Sequence, residues 1–166
     1  MNKKLLQQLY EKYRKELYLY ICSLCHDTVL ADDLLQETFL KAILSLSDNH
    51  TNMRAWLYMV ARNLYFNYAK KESKKVYIEN ENELENEVDT DLLDRMIFND
   101  KKKVLYQALN HLPEKKREIL TLQYFGELSQ KEIAAVLHIT PENVRVLAYR
   151  AKCELKTYME EKGYDI

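Results

Sequence analysis

Glycine and proline are almost missing from this chain, which holds two of each among its 166 residues. In an average globular chain the two types together make up roughly 12% of the residues. A β-rich fold needs them at its many turns, so their scarcity favours long helices joined by few connections. It also excludes sites that depend on glycine, namely a Walker phosphate loop, a dinucleotide-binding fingerprint and a Gly-flanked nucleophilic serine.

Apolar residues at three- and four-residue spacing predict three helices in the first half of the chain. The first should run from about Lys3 to Cys25, and the side chain of Asp27 should cap the second. The polar stretch 45–52 is typical of a loop, and a third helix should follow and end at Lys70-Lys71. The apolar stripes of the three helices are Leu6, Leu9, Tyr13, Leu17, Tyr20, Ile21 and Leu24; Leu34, Leu35, Thr38, Phe39, Ala42, Ile43 and Leu46; and Met53, Trp56, Leu57, Val60, Ala61, Leu64 and Tyr68.

The charges of the chain, which sum to −1, are distributed unevenly. Residues 1–71 hold 10 basic and 7 acidic side chains, residues 72–100 hold 3 and 10, and residues 101–166 hold 12 and 9. We interpret this pattern as two small helical domains, 1–71 and 101–166, joined by a flexible acidic linker. The linker is either a solvated connection only, or a tether that DNA repels while the two basic modules bind nucleic acid.

The second domain carries several helix-start signals. A helix over about 91–112 should be followed by one over 113–124, because Pro113 suits the first turn of a helix. Ser129 and Glu132 form a capping box, in which each side chain bonds the backbone N–H of the other residue. This box predicts a further short helix.

A three-residue turn, 138–140, joins this short helix to the last one, and the pair makes a helix-turn-helix. Thr140 should cap the last helix, and Pro141 should occupy its first position. The inner face of the last helix is expected to be Val144, Ala148, Ala151 and Leu155. Its outward face is Asn143, Arg145, Val146, Tyr149, Arg150, Lys152 and Lys156.

The chemistry of the outward face favours DNA reading over mere helix packing. Arginine side chains match the two acceptors of guanine in the major groove, and Tyr or Val suits a thymine methyl group or a sugar. A solvated helix face more often mixes Glu with Lys, whereas here Glu142 lies in the first turn, where it suits the helix dipole.

Two separate blocks carry a resemblance to a known family. The first is ADDLLQETFLKA at 31–42, followed by AWLYMVARN at 55–63. The second runs from Leu109 through Leu112-Pro113, Arg117-Glu118, Ser129 to Ala134, and Val144-Arg145 to Arg150-Ala151. They resemble domains 2 and 4, in that order, of the extracytoplasmic-function (ECF) sigma factors of bacterial RNA polymerase. The acidic linker falls where that family has its variable connection.

The resemblance implies an alternative sigma factor, which binds core RNA polymerase, delivers it to promoter DNA and helps to open the −10 region. The residues implied to dock on the polymerase are Asp33, Gln36 and Glu37. The residues implied near the −10 element are Lys41, Asn63 and, within the base-capturing loop 45–53, Asn49 and His50. The residues implied to read the −35 element are Asn143, Arg145, Val146, Tyr149 and Arg150.

The resemblance also implies an anti-sigma factor as a partner, no enzymatic activity of its own and no cofactor. The chain departs from the family pattern at three places. Loop 45–53 is short and lacks the aromatic residue and the Arg-Gly pair often found there, so the resemblance does not give its base preference. His138 stands where the turn usually has Gly, so it should adopt a positive φ at some strain. Val146-Leu147 replaces a usual Ser-Arg pair, which removes a polar reader and a phosphate contact.

The cysteine motif at 22–26 and the four histidines each set a structural interpretation against a metal-binding or redox one. Cys22-Ser23-Leu24-Cys25-His26 formally matches a c-type haem attachment string, but it ends an amphipathic helix. Packing cysteines are therefore the main interpretation, and a redox pair or a thiol metal site is the alternative. No two of the four histidines are four residues apart, so a helical His-Glu-x-x-His zinc site is excluded.

The sequence also favours a cytoplasmic location. No apolar run is long enough to span a bilayer, and Gln7 and Gln8 interrupt any signal-peptide core. Reduced cysteines are expected there.

Two other functions stay open at this point. A stand-alone helix-turn-helix regulator would bind DNA by itself, but it has no need of the block 31–42. A helical adaptor protein without a DNA role need not keep the face of Arg145, Tyr149 and Arg150 basic.

Overall fold

The computed structural model describes residues 1–75 and 99–164. The regular elements of these residues are all helices, which confirms the all-α prediction. They are α1 (Lys3–Cys25), α2 (Thr28–Ser45), α3 (Met53–Lys75), α4 (Asp100–Leu109), α5 (Glu114–Tyr124), α6 (Gln130–Leu137) and α7 (Pro141–Glu161).

The chain divides into two compact units, one holding α1–α3 and the other α4–α7. Two helical domains were expected, and this part of the prediction is confirmed. Most of the predicted acidic linker lies outside the described residues, as does the start of the helix expected from about 91. The domain boundaries at 71 and 101 therefore stay predictions.

In the first unit, the three helices pack against one another around a common core. The bounds of α1 match the prediction, and the predicted cap of α2 is confirmed because Asp27 Oδ1 accepts from the backbone N–H groups of Val29 and Leu30, at 3.0 and 3.1 Å. The side chains that fill this core are Leu9, Tyr13, Leu17, Leu19, Tyr20, Ile21, Leu24, Ala31, Leu34, Leu35, Phe39, Ala42, Leu46, Leu57, Tyr58, Ala61 and Leu64.

Two residues expected in the apolar stripes of α2 and α3 lie outside the core. Ile43 is 42% exposed because it follows the outer row of Gln36 and Leu40 at helical spacing, and not the row of Ala42. Tyr68 is 39% exposed because the buried row of α3 ends one turn earlier, at Leu64.

Three further residues of α3 are only half-buried, namely Met53, Trp56 and Val60. The helix also continues to Lys75 instead of ending at Lys70-Lys71. No glycine or proline follows Lys71 to stop it, and the hydroxyl of Ser73 donates to the carbonyl of Lys70 at 2.9 Å inside the extra turn.

In the second unit, α7 packs against α4, α5 and α6. The predicted inner face of α7 is confirmed, since Val144, Ala148, Ala151 and Leu155 are all buried. They complete a core with Leu109, Leu112, Ile119, Leu120, Leu122, Ile133 and Val136.

The helix predicted to end at Leu112 ends at Leu109 instead. The side chain of Asn110 folds back and donates to the carbonyl of Tyr106 at 2.8 Å, which closes the helix with a tight turn. Pro113 then caps α5 from just outside, and its carbonyl accepts from the N–H of Arg117 at 2.9 Å.

Candidate functional site

The helix-turn-helix begins with the predicted capping box. The hydroxyl of Ser129 accepts from the N–H of Glu132 at 3.1 Å, and the carboxylate of Glu132 accepts from the N–H of Ser129 at 2.8 Å. Both bonds satisfy N–H groups that a helix start leaves without intrahelical partners, so α6 begins at a fixed residue.

The turn between α6 and α7 is built on a left-handed residue, as the sequence predicted. His138 has φ 59° and ψ 42°, and its N–H bonds the carbonyl of Ala134. Thr140 then caps α7 by accepting from the N–H of Asn143 at 3.2 Å, with Pro141 at the first helical position. These contacts fix how the outer face of α7 is presented.

All five candidate −35 residues lie on the exposed side of α7. Tyr149 is 71% exposed, and Val146 is 39% exposed, although both carry large apolar groups. Because the opposite face is buried in the unit, these side chains point to solvent together. The five residues are Asn143, Arg145, Val146, Tyr149 and Arg150.

A groove of about 570 Å³ runs beside this face, between α7, the start of α6 and the end of α5. Two cations, Arg145 and Lys152, line it together with Tyr149. The set of −35 candidates omitted Lys152. Its exposed position two helical turns beyond Arg145 on the same face was readable from the sequence. The other lining residues are Gln123, Leu128, Ser129, Gln130, Ile133 and Ala148.

The candidate polymerase-docking residues share an exposed face of α2. Asp33, Gln36 and Glu37 are all exposed, and the amide of Gln36 donates to Asp32 Oδ2 at 3.3 Å. At helical spacing beyond them, Leu40 is 53% exposed and Leu44 is 75% exposed. The face is therefore acidic at one end and apolar at the other. Leu40 and Leu44 fall outside the apolar stripe predicted for α2, so their exposure agrees with helical spacing.

The candidate −10 residues lie on three elements of the first unit, and all are exposed. Lys41 lies on α2, four residues beyond Glu37, and Asn63 lies in the middle of α3. Asn49 and His50 are neighbours in the loop 46–52, which joins α2 to α3. The structure brings these last two together.

Internal hydrogen bonds order this loop. The hydroxyl of Ser47 accepts from the N–H of Asn49 at 3.2 Å, and the carbonyl of Ser47 accepts from the N–H of His50 at 3.0 Å. His50 Nδ1 accepts from the N–H of Asn52 at 3.0 Å, so in the neutral ring the hydrogen sits on Nε2. The imidazole thus offers one N–H donor beyond the loop.

Cys22 and Cys25 lie near the end of α1, with Cys22 buried and Cys25 half-buried, whereas Cys153 on α7 is exposed. Cys22 is buried in the first unit, and burial raises the pKa of its thiol to about 12. Burial also raises the pKa of Cys25, whose Sγ donates to the carbonyl of Asp27 at 3.3 Å. Within residues 1–75 and 99–164, no three His, Cys, Asp or Glu side chains are grouped to hold a metal ion. In the same residues, no helix is long and apolar enough to cross a membrane.

Fold and surface together define a protein of two helical units, one of which is a helix-turn-helix module with an exposed basic face. Comparison with known families agrees. Residues 9–75 match the model of sigma-70 region 2, and residues 102–155 match that of sigma-70 region 4.

Curated relatives match over nearly the whole chain. The ECF RNA polymerase sigma factor SigM of Bacillus subtilis (strain 168) is 34% identical over 161 residues, which cover 91% of this chain and 93% of SigM. The RNA polymerase sigma factor YlaC of the same organism is 31% identical over 158 residues, which cover 93% of this chain and 91% of YlaC. The chain therefore belongs to the ECF sigma factors of the sigma-70 family, and it is an RNA polymerase sigma factor.

Two solved structures share the fold at lower identity. The sigma factor RpoE from Bartonella quintana, solved with the anti-sigma factor NepR, has 22% identity and a TM-score of 0.69, covering 96% of this chain and 98% of that one. CnrH, solved with the cytosolic domain of CnrY, also has 22% identity, with a TM-score of 0.64, covering 96% of this chain and 90% of that one.

Proposed function

We propose that this sigma factor joins core RNA polymerase through the outer face of α2 and reads promoter DNA through two surfaces. One is the outer face of α7, which reads the −35 element. The other is the set of Lys41, Asn63 and the loop 46–52, which handles the −10 element. The single observation that carries the proposal is the exposed, basic and aromatic face of α7, since no packing need explains it.

The geometry of α7 suits the major groove. Arg145 and Tyr149 are four residues apart, as are Val146 and Arg150, so the four side chains form two adjacent outward rows near the helix start. That end of the second helix enters the groove in this motif. The guanidinium of an arginine at this end of the helix, Arg145 or Arg150, can bond guanine O6 and N7. Val146 and Tyr149 can contact a thymine methyl group or a sugar.

The groove beside α7 supports backbone contacts next to this reading face. Arg145 and Lys152 both line it, and cationic side chains beside a reading helix can bond the phosphates that border the groove. Such contacts fix the register of the helix without reading sequence. Lys152 therefore joins the −35 surface in the proposal, as a phosphate contact.

The loop 46–52 offers hydrogen-bonding groups to an extruded base. Taking a base out of the stack costs a few kcal/mol, which a receiving pocket must offset. The amide of Asn49 and the Nε2–H of His50 are exposed donors on one ordered turn. Both can bond the edge of an unpaired base.

Regulation and location complete the proposal. Both structural neighbours were solved with a second protein, and for RpoE that protein is an anti-sigma factor. We extend this to the present chain, which would be held inactive in the cytoplasm by an anti-sigma factor. It would act as a DNA-binding subunit and would catalyse nothing by itself.

Replacing Arg150 by Ala tests the −35 assignment. If Arg150 is bidentate to guanine, Arg150→Ala lowers discrimination between the cognate and −35-substituted promoters by about 1–3 kcal/mol. If it contacts phosphate only, Arg150→Ala lowers the affinity for every promoter sequence by the same factor. The slope of log affinity against log salt concentration then becomes shallower by about one. Holoenzyme binding measured across a salt series separates the two cases.

The matched control is Lys115→Ala, which removes an exposed charge from the start of α5, outside the lining of the groove, and should change neither quantity. An Arg150→Ala holoenzyme with unaltered affinity and unaltered salt slope would remove α7 from the DNA-reading role.

A further inference from the structure

The start of α1 holds the middle of the loop 46–52. The carboxylate of Asp48 accepts from the backbone N–H of Asn2, with 3.1 Å to Oδ1 and 3.3 Å to Oδ2. The two residues are 46 positions apart, so this is a tertiary contact. Asn2 is the N-cap of α1, and the carboxylate therefore lies at the positive end of a 23-residue helix, where the helix dipole favours it.

Asp48 lies at the centre of the segment that orders the loop. Its neighbour Ser47 accepts from the N–H groups of Asn49 and His50, and His50 in turn accepts from Asn52. Each end of the loop is separately fixed, because Leu46 is buried and Asn52 Oδ1 accepts from the N–H of Ala55 at the start of α3. The Asp48 carboxylate ties the part between these ends to α1.

We propose that Asp48 is a positioning residue for −10 recognition. Its bond to the Asn2 amide sets Asn49 and His50 in the arrangement that receives an extruded base, before DNA arrives. The loop is then ordered during folding, and less conformational entropy is lost on DNA binding. This inference rests on the proposed function of the loop, and it assigns to the start of α1 a role in base selection.

The backbone of Asn2 allows a clean test. Its φ of −63° lies in the range that proline imposes, so Asn2→Pro, in protein that keeps Met1, deletes the N–H donor at a compatible φ. Asn2→Ala is the matched control. Both variants lose the side-chain cap to the N–H of Lys4, but only the proline variant loses the donor to Asp48.

Asp48 supplies the complementary pair of variants. Asp48→Ala removes the acceptor, whereas Asp48→Asn keeps one carbonyl oxygen for the Asn2 amide and should behave close to wild type. A contact that acts only through the charge of Asp48 would affect both variants equally, and that result would overturn the role proposed for the hydrogen bond to Asn2.

The first measurement is amide hydrogen exchange of the full chain without DNA. We expect the amide of His50 to exchange about fivefold faster in Asn2→Pro than in Asn2→Ala, and the amides of α2 to be unchanged. Equal exchange in the two variants would overturn the proposal, whatever happens on DNA.

The second measurement uses holoenzyme, assembled with bacterial core polymerase, and a duplex pool randomised across the −10 region. Asn2→Pro and Asp48→Ala should select a less sharply defined −10 sequence than Asn2→Ala, while the −35 preference stays the same. If Asn2→Pro and Asp48→Ala select a −10 sequence as sharply defined as that of Asn2→Ala, the positioning role of Asp48 is overturned. The proposed function of the loop is then unaffected. A wild-type chain that selects no −10 sequence would contradict the proposed function of the loop, and the positioning role would fall with it.

Discussion

Arg54 and Glu16 form an ion pair that joins α3 to α1. Arg54 Nε lies 3.0 Å from Glu16 Oε1, and Nη2 donates to Oε2 at 3.2 Å. The hydroxyl of Tyr58 donates to the same Oε1 at 3.1 Å, and the guanidinium lies over the ring of Tyr13. Burial disfavours the charged guanidinium, but Glu16 together with Tyr13 and Tyr58 outweighs burial, so the pKa of Arg54 is raised. One carboxylate thus satisfies two donors on α3, close to where the loop 46–52 ends.

Removing this carboxylate should destabilise the first unit. Glu16→Ala takes the acceptor from a charged group and from a tyrosine that is 1% exposed, so we expect the free energy of unfolding to fall by about 2–3 kcal/mol. Urea unfolding followed by fluorescence of Trp56, the one tryptophan of the chain, reports on this unit. Glu11→Ala, which removes an exposed carboxylate from the same helix, should have little effect. A loss no larger than that of the control would contradict the role assigned to Glu16.

Glycine at position 138 should stabilise the second unit. The left-handed conformation of His138, with φ 59°, strains any residue that carries a Cβ. We expect His138→Gly to raise the free energy of unfolding by about 0.5–1 kcal/mol. Ala135→Gly is the control on the exposed side of α6, where glycine should cost about 1 kcal/mol instead. Thermal unfolding followed by circular dichroism should therefore shift in opposite directions for the two variants.

The outer face of α2 should be needed for polymerase binding and not for folding. Gln36→Ala combined with Glu37→Ala removes two exposed side chains, so helicity should be kept while retention by core polymerase in a pull-down falls. The matched control is Gln8→Ala combined with Glu11→Ala, which removes the same two residue types from the exposed side of α1. Equal retention of the two double variants would remove the docking role from this face.

The buried thiol of Cys22 should make the stability of the first unit fall at high pH. The pKa of this thiol rises from its ordinary value of 9.0 to about 12 on folding, because burial disfavours the thiolate. Between these values the folded chain keeps a proton that the unfolded chain has lost. The stabilisation is therefore complete below about pH 9 and is lost towards pH 12, with a slope of at most about 1.4 kcal/mol per pH unit.

Cys22→Ala should have a flatter pH dependence than the wild type when unfolding is followed by Trp56 fluorescence. Cys153→Ala, which changes an exposed cysteine on α7, should keep the wild-type slope. Identical slopes for all three proteins would show that Cys22 does not titrate with unfolding.

Local signals predicted much of this fold. The caps at Asp27, Ser129 and Thr140 were predictable because each depends on residues within three positions along the chain. The left-handed turn at His138 was expected from the resemblance to the sigma factor family, in which Gly usually occupies this position. Periodicity likewise placed the inner face of α7.

Contacts between distant residues were not predictable in this way. Tyr58, which is buried, donates to Glu16, 42 positions away, and Asp48 accepts from the amide of Asn2 across 46 positions. No local pattern contains either pair. Ile43 was predicted in the apolar stripe because it is apolar and follows Phe39 by four positions, but it borders the outer row of Gln36 and Leu40 and is 42% exposed.

Transcription with core polymerase tests the central claim most directly. Bacterial core RNA polymerase should be incubated with a genomic promoter library, with and without this chain, and the run-off transcripts mapped to their start sites. We expect discrete start sites that appear only when the chain is present and that share one −35 and one −10 element at constant spacing. The free chain, whose net charge is −1, should bind the same promoter duplexes only weakly. Unchanged transcripts on adding the chain, together with tight sequence-specific duplex binding by the chain alone, would contradict the account and indicate a stand-alone regulator.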